Sequence, residues 1–490
     1  MRSGKRRVAG GESASSRCNS QTRKLATRTM NTPINLPSPE ENDSPSCLFK
    51  IGYLLIITII IGSLLSTAIA AGIWFYQEYV VVEDVPAVPP VTVVDDMPIA
   101  PATPATTAGR IAFINPDGQV ETVDREGENG RLLTTDNLQH HFPTWSPDGT
   151  ALATISQYGV YQMQDVDGGE VLPLYKDTAD TPIYLYWSPD SSQLGFLAQQ
   201  NGDELGLFIT PAGGGAVNLQ AVASPLYWDW SPAEDQVLLH TNGLGQQARL
   251  ALMAVGGGMM GGIDVAQPGA FQTPAFSQNG RFYAYAEEQS GGLSWLVVTD
   301  TEPLTLAPRK IEERHAGMVA MGWSPVADQL AYISGEYQGD GFYGSLRLLD
   351  AISGESRLLS SRQVAAFFWS PNGRFIATLT ATAFDDGIYV NNGRVGLMQT
   401  HIPITLELAI IDVESGERTA LTTFQPTNTF HLRLIPYFDQ YAHSHHLWSP
   451  DSEALVQPMV IDGGERVVVV GINGRLQEIA DGRMPFWSWQ

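Results

Sequence analysis

The sequence predicts an all-β protein made of repeats of one four-stranded unit, and three recurring features support this prediction. An aromatic-Ser turn, followed by Pro in all copies but the one at Phe276, recurs along the chain, and its copies begin at Trp145, Trp187, Trp230, Phe276, Trp323, Trp369 and Trp448. A short apolar run follows each copy, as in Leu-Ala-Thr-Ile at 152–155. A hairpin with a Gly- or Asp-rich turn comes next, as at 346–359. Alternating apolar residues between such turns indicate antiparallel strands.

The spacing of the repeats predicts how the array closes. Successive aromatic anchors lie 42, 43, 46, 47, 46 and 79 residues apart, which indicates an array of one supersecondary unit. Residues 110–134 supply three strands of a unit without its first strand, and Trp487 supplies an isolated first strand at the C-terminus. We therefore predict an eight-bladed β-propeller in which the C-terminal strand closes the first blade and removes the open edges. A seven-bladed propeller is the alternative if the first hairpin is not a blade.

The repeat also resembles a known family. The aromatic-Ser-Pro-Asp-Gly turn, the apolar strand and the Asp/Gly hairpin are similar to the TolB-type propeller repeat, a relative of the WD repeats. The resemblance covers residues 110–490 and departs from the pattern at 231–233, 277–279 and 324–326. It implies a propeller, often extracytoplasmic, that binds other molecules, and in some proteins it accompanies an α/β-hydrolase domain. This chain has no Gly-x-Ser-x-Gly elbow and no Gly-Lys-Ser/Thr loop, so we expect neither an enzyme nor a cofactor.

Three segments precede the propeller, which we place at 110–490. Residues 1–50 carry a net charge of +5 and are predicted to be a disordered cytoplasmic tail. Residues 51–76 contain no charge and are long enough for a transmembrane helix. Residues 77–109 form a Pro-rich linker. Basic residues on the N-terminal side predict a single-pass protein of the cell membrane with its propeller outside, in the periplasm or extracellular space. A signal peptide cleaved after 68–70 is the alternative.

Charge and cysteine usage narrow the class of partner. The whole chain has a net charge of −24, so residues 51–490 carry −29. An acidic body of this size repels phosphate backbones, and we expect no nucleic acid partner. Both cysteines, Cys18 and Cys47, precede the apolar segment, and residues 51–490 contain no Asn-x-Ser/Thr glycosylation acceptor. These features favour a bacterial envelope protein over a eukaryotic secreted one.

The long interval after Trp369 predicts the functional site. Its surplus falls in two insertions, at 381–404 and 425–446, whose connections emerge on the same face of a propeller. We expect them to form one protrusion beside the mouth of the central channel, because long loops on a rigid scaffold often carry binding sites.

The second insertion supplies most of the candidate binding residues, and the equivalent connection before Trp145 supplies two more. The candidates are Arg433, Tyr437, Phe438, Asp439, Tyr441, His443, His445, His446, His140 and His141. Aromatics and Arg are typical of interface hot spots, although these aromatics could instead pack the loop down. Imidazoles and a carboxylate suit Zn²⁺, so weak metal candidates are His443, His445, His446 and Asp439. The alternative is a set of histidines bonded to the loop backbone.

These features together predict a non-catalytic binding or scaffold propeller held outside the membrane. Its partner would be an envelope protein, a peptide or a glycan, bound through the face that carries 381–404 and 425–446. The alternative function is a metal-dependent hydrolase, or another enzyme, with a His-rich site at the channel mouth. A third possibility is a sensor in which residues 1–50 recruit a partner.

Overall fold

A computed structural model describes one domain of the chain, from residue 109 to residue 489, except for several segments. The described residues are 109–489 without 164–169, 178–179, 201, 203, 234, 258–260, 290–292, 302–308, 316, 336–343 and 383–403. The predicted tail, the predicted transmembrane helix and nearly all of the linker lie outside them, as does most of the first insertion. Among the helices that are described, none has both the length and the hydropathy needed to cross a bilayer.

The described residues form eight antiparallel sheets arranged as the blades of a β-propeller, which confirms the predicted fold class. The strands of blades 1 to 4 are β1 (Ile111–Ile114), β2 (Val120–Val123), β3 (Arg131–Leu132), β4 (His140–Trp145), β5 (Leu152–Ser156), β6 (Gly159–Met163), β7 (Val171–Lys176), β8 (Pro182–Trp187), β9 (Gln193–Gln200), β10 (Glu204–Pro211), β11 (Asn218–Ala223), β12 (Leu226–Trp230), β13 (Gln236–Thr241), β14 (Arg249–Ala254) and β15 (Ile263–Ala266).

The remaining blades continue the same meander. Their strands are β16 (Ala275–Phe276), β17 (Phe282–Gln289), β18 (Leu293–Asp300), β19 (Arg309–His315), β20 (Met318–Trp323), β21 (Gln329–Gly335), β22 (Gly344–Asp350), β23 (Ser356–Val364), β24 (Ala366–Trp369), β25 (Phe375–Ala381), β26 (Leu406–Asp412), β27 (Arg418–Phe424), β28 (Ala454–Ile461), β29 (Gly464–Gly471), β30 (Leu476–Asp481) and β31 (Arg483–Trp487). In blades 2 to 7 the first strand is the innermost strand and meets the inner strands of neighbouring blades, as β12, β16, β20 and β24 do.

The ring closes as the sequence predicts. Strand β31 pairs antiparallel with β1, so that Trp487 lies opposite Ile111 and Phe486 lies opposite Ala112. The C-terminal strand thereby becomes the innermost strand of blade 1, in the sheet order β3-β2-β1-β31. Eight sheets are present within the described residues, so the seven-bladed alternative is wrong.

Blade 8 departs from the four-stranded prediction. Its sheet contains β28, β29 and β30, and the expected inner strand is reduced to an isolated bridge between Trp448 and Leu455. The backbone just before it pairs elsewhere, because Trp487 N donates a hydrogen bond to His446 O at 2.8 Å. The second insertion therefore ends by joining the inner strand of blade 1.

The recurring tetrapeptide makes a self-contained turn. In Trp145-Ser146-Pro147-Asp148, the Ser146 hydroxyl donates to Asp148 Oδ1 at 2.6 Å and accepts a bond from Ala151 N at 2.9 Å. Gly149 has a φ of +72°, a conformation that glycine adopts without steric penalty. These turns share one face of the propeller, which we call the turn face. The connections between blades emerge on the opposite face, which we call the plug face.

The tryptophan before most of the turns fixes neighbouring blades to one another. Trp187 Nε1 donates to Thr144 O at 3.2 Å, Trp323 Nε1 to Ala275 O at 2.9 Å, and Trp448 Nε1 to Phe368 O at 3.0 Å. In each pair the acceptor belongs to the inner strand of the preceding blade in the chain. These side chains are buried, so the repeat serves as scaffold.

Candidate functional site

The second insertion folds as three short helical turns in succession. A π-helical turn covers Phe430–Leu434, a 3₁₀ turn covers Ile435–Tyr437, and one α-helical turn covers Phe438–Tyr441. Pro436 lies in the first turn of the 3₁₀ segment, where its missing N–H leaves no helical bond unmade. We call residues 430–446 the plug.

The plug closes the channel instead of projecting from it, so the predicted protrusion is wrong for this insertion. Phe430, Leu434, Phe438 and Tyr441 are all at most 5% exposed and lie on the side of the plug that faces the blades. Their spacing of four, four and three residues is that of one face of a helix. This apolar face requires burial, and the mouth of the channel provides it. The first insertion lies almost wholly outside the described residues, so its part in the prediction stays untested.

Gln440 connects the plug to two inner strands through its side chain. Its Oε1 accepts from Trp228 N at 3.1 Å, and its Nε2 donates to Trp228 O at 2.9 Å and to the Tyr184 hydroxyl at 3.2 Å. The Tyr184 hydroxyl also lies 2.8 Å from Ser444 Oγ, and Thr144 Oγ1 donates to Ser444 O at 2.6 Å. Blades 2, 3 and 4 therefore all hold the plug by buried hydrogen bonds.

Asp439 is a buried carboxylate that blade 5 holds. Thr273 N donates to its Oδ2 at 3.2 Å, and the Gln272 amide, turned with its nitrogen toward the plug, donates to Asp439 Oδ1 at 3.2 Å and to Pro436 O at 3.1 Å. Burial disfavours the charged form and raises the pKa of Asp439 to about 7, although the backbone donors of Thr273 and Gln440 oppose the shift.

Aromatic contacts complete the seal on the remaining sides. The Phe438 ring meets Phe367 of blade 7 edge-on at 5.2 Å between centroids. The Tyr441 ring stacks on Phe142 of blade 2 at 5.0 Å. Phe438 and Tyr441 therefore pack the insertion down, and their predicted role as an exposed binding surface is wrong.

His443 lies beside a second buried carboxylate. Its Nδ1 is 3.4 Å from Asp229 Oδ1, which also accepts from the Tyr186 hydroxyl at 3.1 Å, and Phe276 N donates to Asp229 Oδ2 at 2.7 Å. Burial raises the pKa of Asp229, and His443 and the hydrogen-bond donors oppose this shift. Sequence reasoning missed Asp229, which is more than two hundred residues from the plug.

The other plug histidines face different surroundings. His445 is buried, with its Nδ1 2.6 Å from Ser444 Oγ, and burial lowers the pKa of this imidazole to about 3. The His446 ring lies 3.5 Å from that of Trp489. Within the described part of the chain, no three His, Cys, Asp or Glu side chains converge so that they could hold a metal ion, and this includes the weak candidates His443, His445, His446 and Asp439.

His140 and His141 separate as well. His140 is fully buried within blade 2, where its Nε2 lies 3.0 Å from Asp136 Oδ1, and burial lowers its pKa. His140 is therefore part of the packing of its blade. His141 is half-buried, and its pKa is lowered by burial and then by the positive charges of Arg483, His140 and Arg433. His141 thus lies in the same electrostatic neighbourhood as the plug's arginine.

The solvent side of the plug exposes three neighbouring side chains, which we call the outer patch. Leu432 is 55% exposed, Tyr437 is 43% exposed, and Arg433 lies between them in sequence and is also exposed. Among the described residues, Arg433 has no ion-pair partner within 4.0 Å. Of the predicted binding residues in the plug, Arg433 and Tyr437 are the two that point to solvent.

A cavity lies on the inner side of the plug, within the channel. Its volume is 190 Å³, and it extends from plug residues such as Asp439 and His443 to turn-face residues such as Gln278 and Pro371. Fold and site together define a plugged eight-bladed β-propeller with one surface outside the plug and one cavity beneath it.

Comparison with known proteins shows a similarity of fold and no similarity to a protein family. No protein-family model matches the chain, and no curated protein matches it. Solved structures with a similar fold include TolB of Agrobacterium tumefaciens, which is 18% identical over 54% of this chain and 95% of that one, with a TM-score of 0.36. TolB of Acinetobacter baumannii is 12% identical over 78% of this chain and 66% of that one, with a TM-score of 0.36. A dihydro-heme d1 dehydrogenase is 13% identical over 80% of this chain and 77% of that one, with a TM-score of 0.49.

Proposed function

We propose that this protein is a non-catalytic binding propeller of the cell envelope, and that its outer patch recognises an acidic segment of a protein or peptide. Residues 51–76 would hold it in the membrane, with the propeller outside. The observation that supports this proposal is the exposure of Arg433, without an ion pair among the described residues, between Leu432 and Tyr437.

Charge supports an acidic partner. The chain carries −24 overall, so most of its surface repels acidic segments. Arg433 and Arg483 lie close enough to His141 to lower its pKa, and of these two arginines Arg483 is paired with Glu465 at 3.6 Å while Arg433 has no ion pair among the described residues. An isolated basic region on an acidic body selects the orientation of an acidic partner, because the wrong approach brings like charges together.

The geometry of the plug supports tight recognition by few residues. Arg and Tyr are enriched among hot-spot residues, and Leu432 adds apolar area beside them. The backbone that carries them is held by buried hydrogen bonds from Gln440 and Asp439 to the blades. Little conformational entropy is therefore lost when a partner binds, and this increases the affinity obtained from a small surface.

An array of twelve-residue peptides graded in net charge tests this function with the full chain in a neutral detergent. We expect the wild type to retain acidic peptides that also contain aromatic residues, and Arg433→Glu to bind them about 30-fold more weakly, as for a hot spot of about 2 kcal/mol. Arg475→Glu is the matched control, because Arg475 is exposed in a turn between β29 and β30 on the turn face. Equal losses in the two variants, or retention of basic peptides by the wild type, would refute the proposal.

A further inference from the structure

The cavity beneath the plug is a blind site that opens on the turn face. Its closed end is formed by plug residues, among them Phe438, Asp439 and His443. Its other end reaches the turns that follow the inner strands, where Gln278 is exposed to solvent. The outer patch and this cavity therefore lie on opposite sides of the plug, so a ligand in one does not touch the other.

Aromatic rings form a large part of the cavity wall. Eight of its twenty-one lining residues are Phe or Trp. Trp369 and Trp489 are partly exposed, and the indole N–H of each already donates to a backbone carbonyl, Gly322 O at 2.9 Å and Trp145 O at 3.2 Å. These two rings therefore offer a ligand π surface and no free donor, which suits a cation or an apolar group better than a sugar hydroxyl.

The charges around the cavity select between these two ligand classes. Its described lining contains no Lys or Arg, and it contains the carboxyl group of Asp439. The carboxyl group of Asp229 lies directly behind His443, 3.4 Å from its Nδ1. The body around the site is strongly acidic. The basic groups of the lining are imidazoles, of which His443 already lies beside Asp229 and His445 is kept neutral by burial. An anion would therefore gain little here, whereas a cation is attracted by the carboxylates and by the negative faces of the rings.

We infer that this cavity binds a small organic cation of the quaternary ammonium or methylated amine class. The cation enters from the turn face, its charged group sits among the aromatic rings of the channel, and Asp439 at the closed end balances its charge. A volume of 190 Å³ equals the share of about six water molecules in the liquid, which matches a trimethylammonium group with a short tail. Recognition of quaternary ammonium groups by aromatic cages uses the same physics.

The most direct test compares choline with 3,3-dimethyl-1-butanol, a neutral molecule of nearly the same shape. Calorimetric titration of the full chain in detergent should show saturable choline binding and at least tenfold weaker binding of the neutral analogue. Equal affinities would mean that the cavity is merely apolar, and the absence of choline binding would also overturn the inference.

Substitutions in the lining test whether choline binds in the cavity. We expect Trp489→Ala to weaken choline binding about fivefold or more, and Trp489→Phe, which keeps a π surface, to retain most of it. At pH 8, above the pKa of about 7, Asp439→Asn removes a negative charge and keeps the shape, and should weaken choline binding about tenfold or more. Trp295→Ala changes a tryptophan on strand β18 that does not line the cavity, and should leave binding unchanged.

The test of choline binding is independent of the proposed function. Arg433→Glu should weaken the binding of acidic peptides about 30-fold and leave choline affinity unchanged, because the plug separates the two sites. If Trp489→Ala binds choline as well as the wild type, the ligand lies elsewhere and the inference fails, whatever the outcome for the outer patch.

Discussion

Asp439→Asn should remove a loss of stability that the wild type suffers as the pH rises from about 4 to about 7. The pKa of Asp439 is about 7 in the folded protein, against about 3.9 in an unfolded chain. Each pH unit between these values corresponds to about 1.4 kcal/mol, so ionisation of the buried carboxyl group opposes folding by about 4 kcal/mol at pH 8. The asparagine has no such penalty, while it can still accept the hydrogen bond from Thr273 N.

The sign of this effect follows from proton binding. Between pH 4 and pH 7 the folded wild type keeps a proton on Asp439 that the unfolded chain has lost, so its stability falls as the pH rises. Other buried groups, such as Asp229 and His445, titrate in both proteins and cancel in the difference. The free energy of unfolding of Asp439→Asn minus that of the wild type should therefore increase from pH 4 to pH 8.

Urea unfolding of both proteins at pH 5, 6, 7 and 8 measures this difference, since the linear dependence of the free energy of unfolding on urea yields comparable values. Asp451→Asn is the control, because the pKa of Asp451 is lowered in the folded protein and its effect is confined to acidic pH. A difference for Asp439→Asn that does not change across this range would refute the account of Asp439 as a desolvated carboxyl group.

Two further substitutions test the contacts that hold the plug and the blades. Gln440→Ala leaves the buried N–H and C=O of Trp228 without partners and should reduce the free energy of unfolding by about 2–4 kcal/mol. The control Gln477→Ala, at the rim of blade 8, should change it by less than about 0.5 kcal/mol. Equal urea midpoints for the two variants would contradict this prediction. Trp323→Phe removes the bond to Ala275 O and should cost about 1–3 kcal/mol beyond the packing loss. Trp487→Phe should cost less in the same urea titration, because Trp487 Nε1 has no acceptor within the described residues.

The fold could be predicted from local information repeated along the chain. Each aromatic-Ser-Pro turn closes on itself through bonds such as that from Ser146 to Asp148, so its sequence is sufficient to mark it. The isolated Trp487 was enough to predict the closing strand, because an inner strand without a blade must pair with a blade that lacks one. Blade 8 is the exception, since its inner strand is replaced by the end of the plug.

The site was only partly predictable. The interval after Trp369 located the insertion, and the spacing of Phe430, Leu434, Phe438 and Tyr441 contained the signal that one of its faces is buried. The prediction that the aromatics and histidines are exposed did not take this spacing into account. The position of Asp229 could not be inferred, because its contact with His443 depends on how distant blades meet around the channel.

Thiol labelling tests most directly whether the plug has an inner and an outer side. In a Cys18→Ser, Cys47→Ser background, cysteine placed at the exposed position of Tyr437 should react with a maleimide at nearly the rate of a free thiol. Cysteine placed at Ser444, which is 3% exposed and nearly isosteric, should react at least about a hundredfold more slowly, because it is reached only when the plug opens. Equal rates at the two positions would contradict the plugged channel on which this account depends.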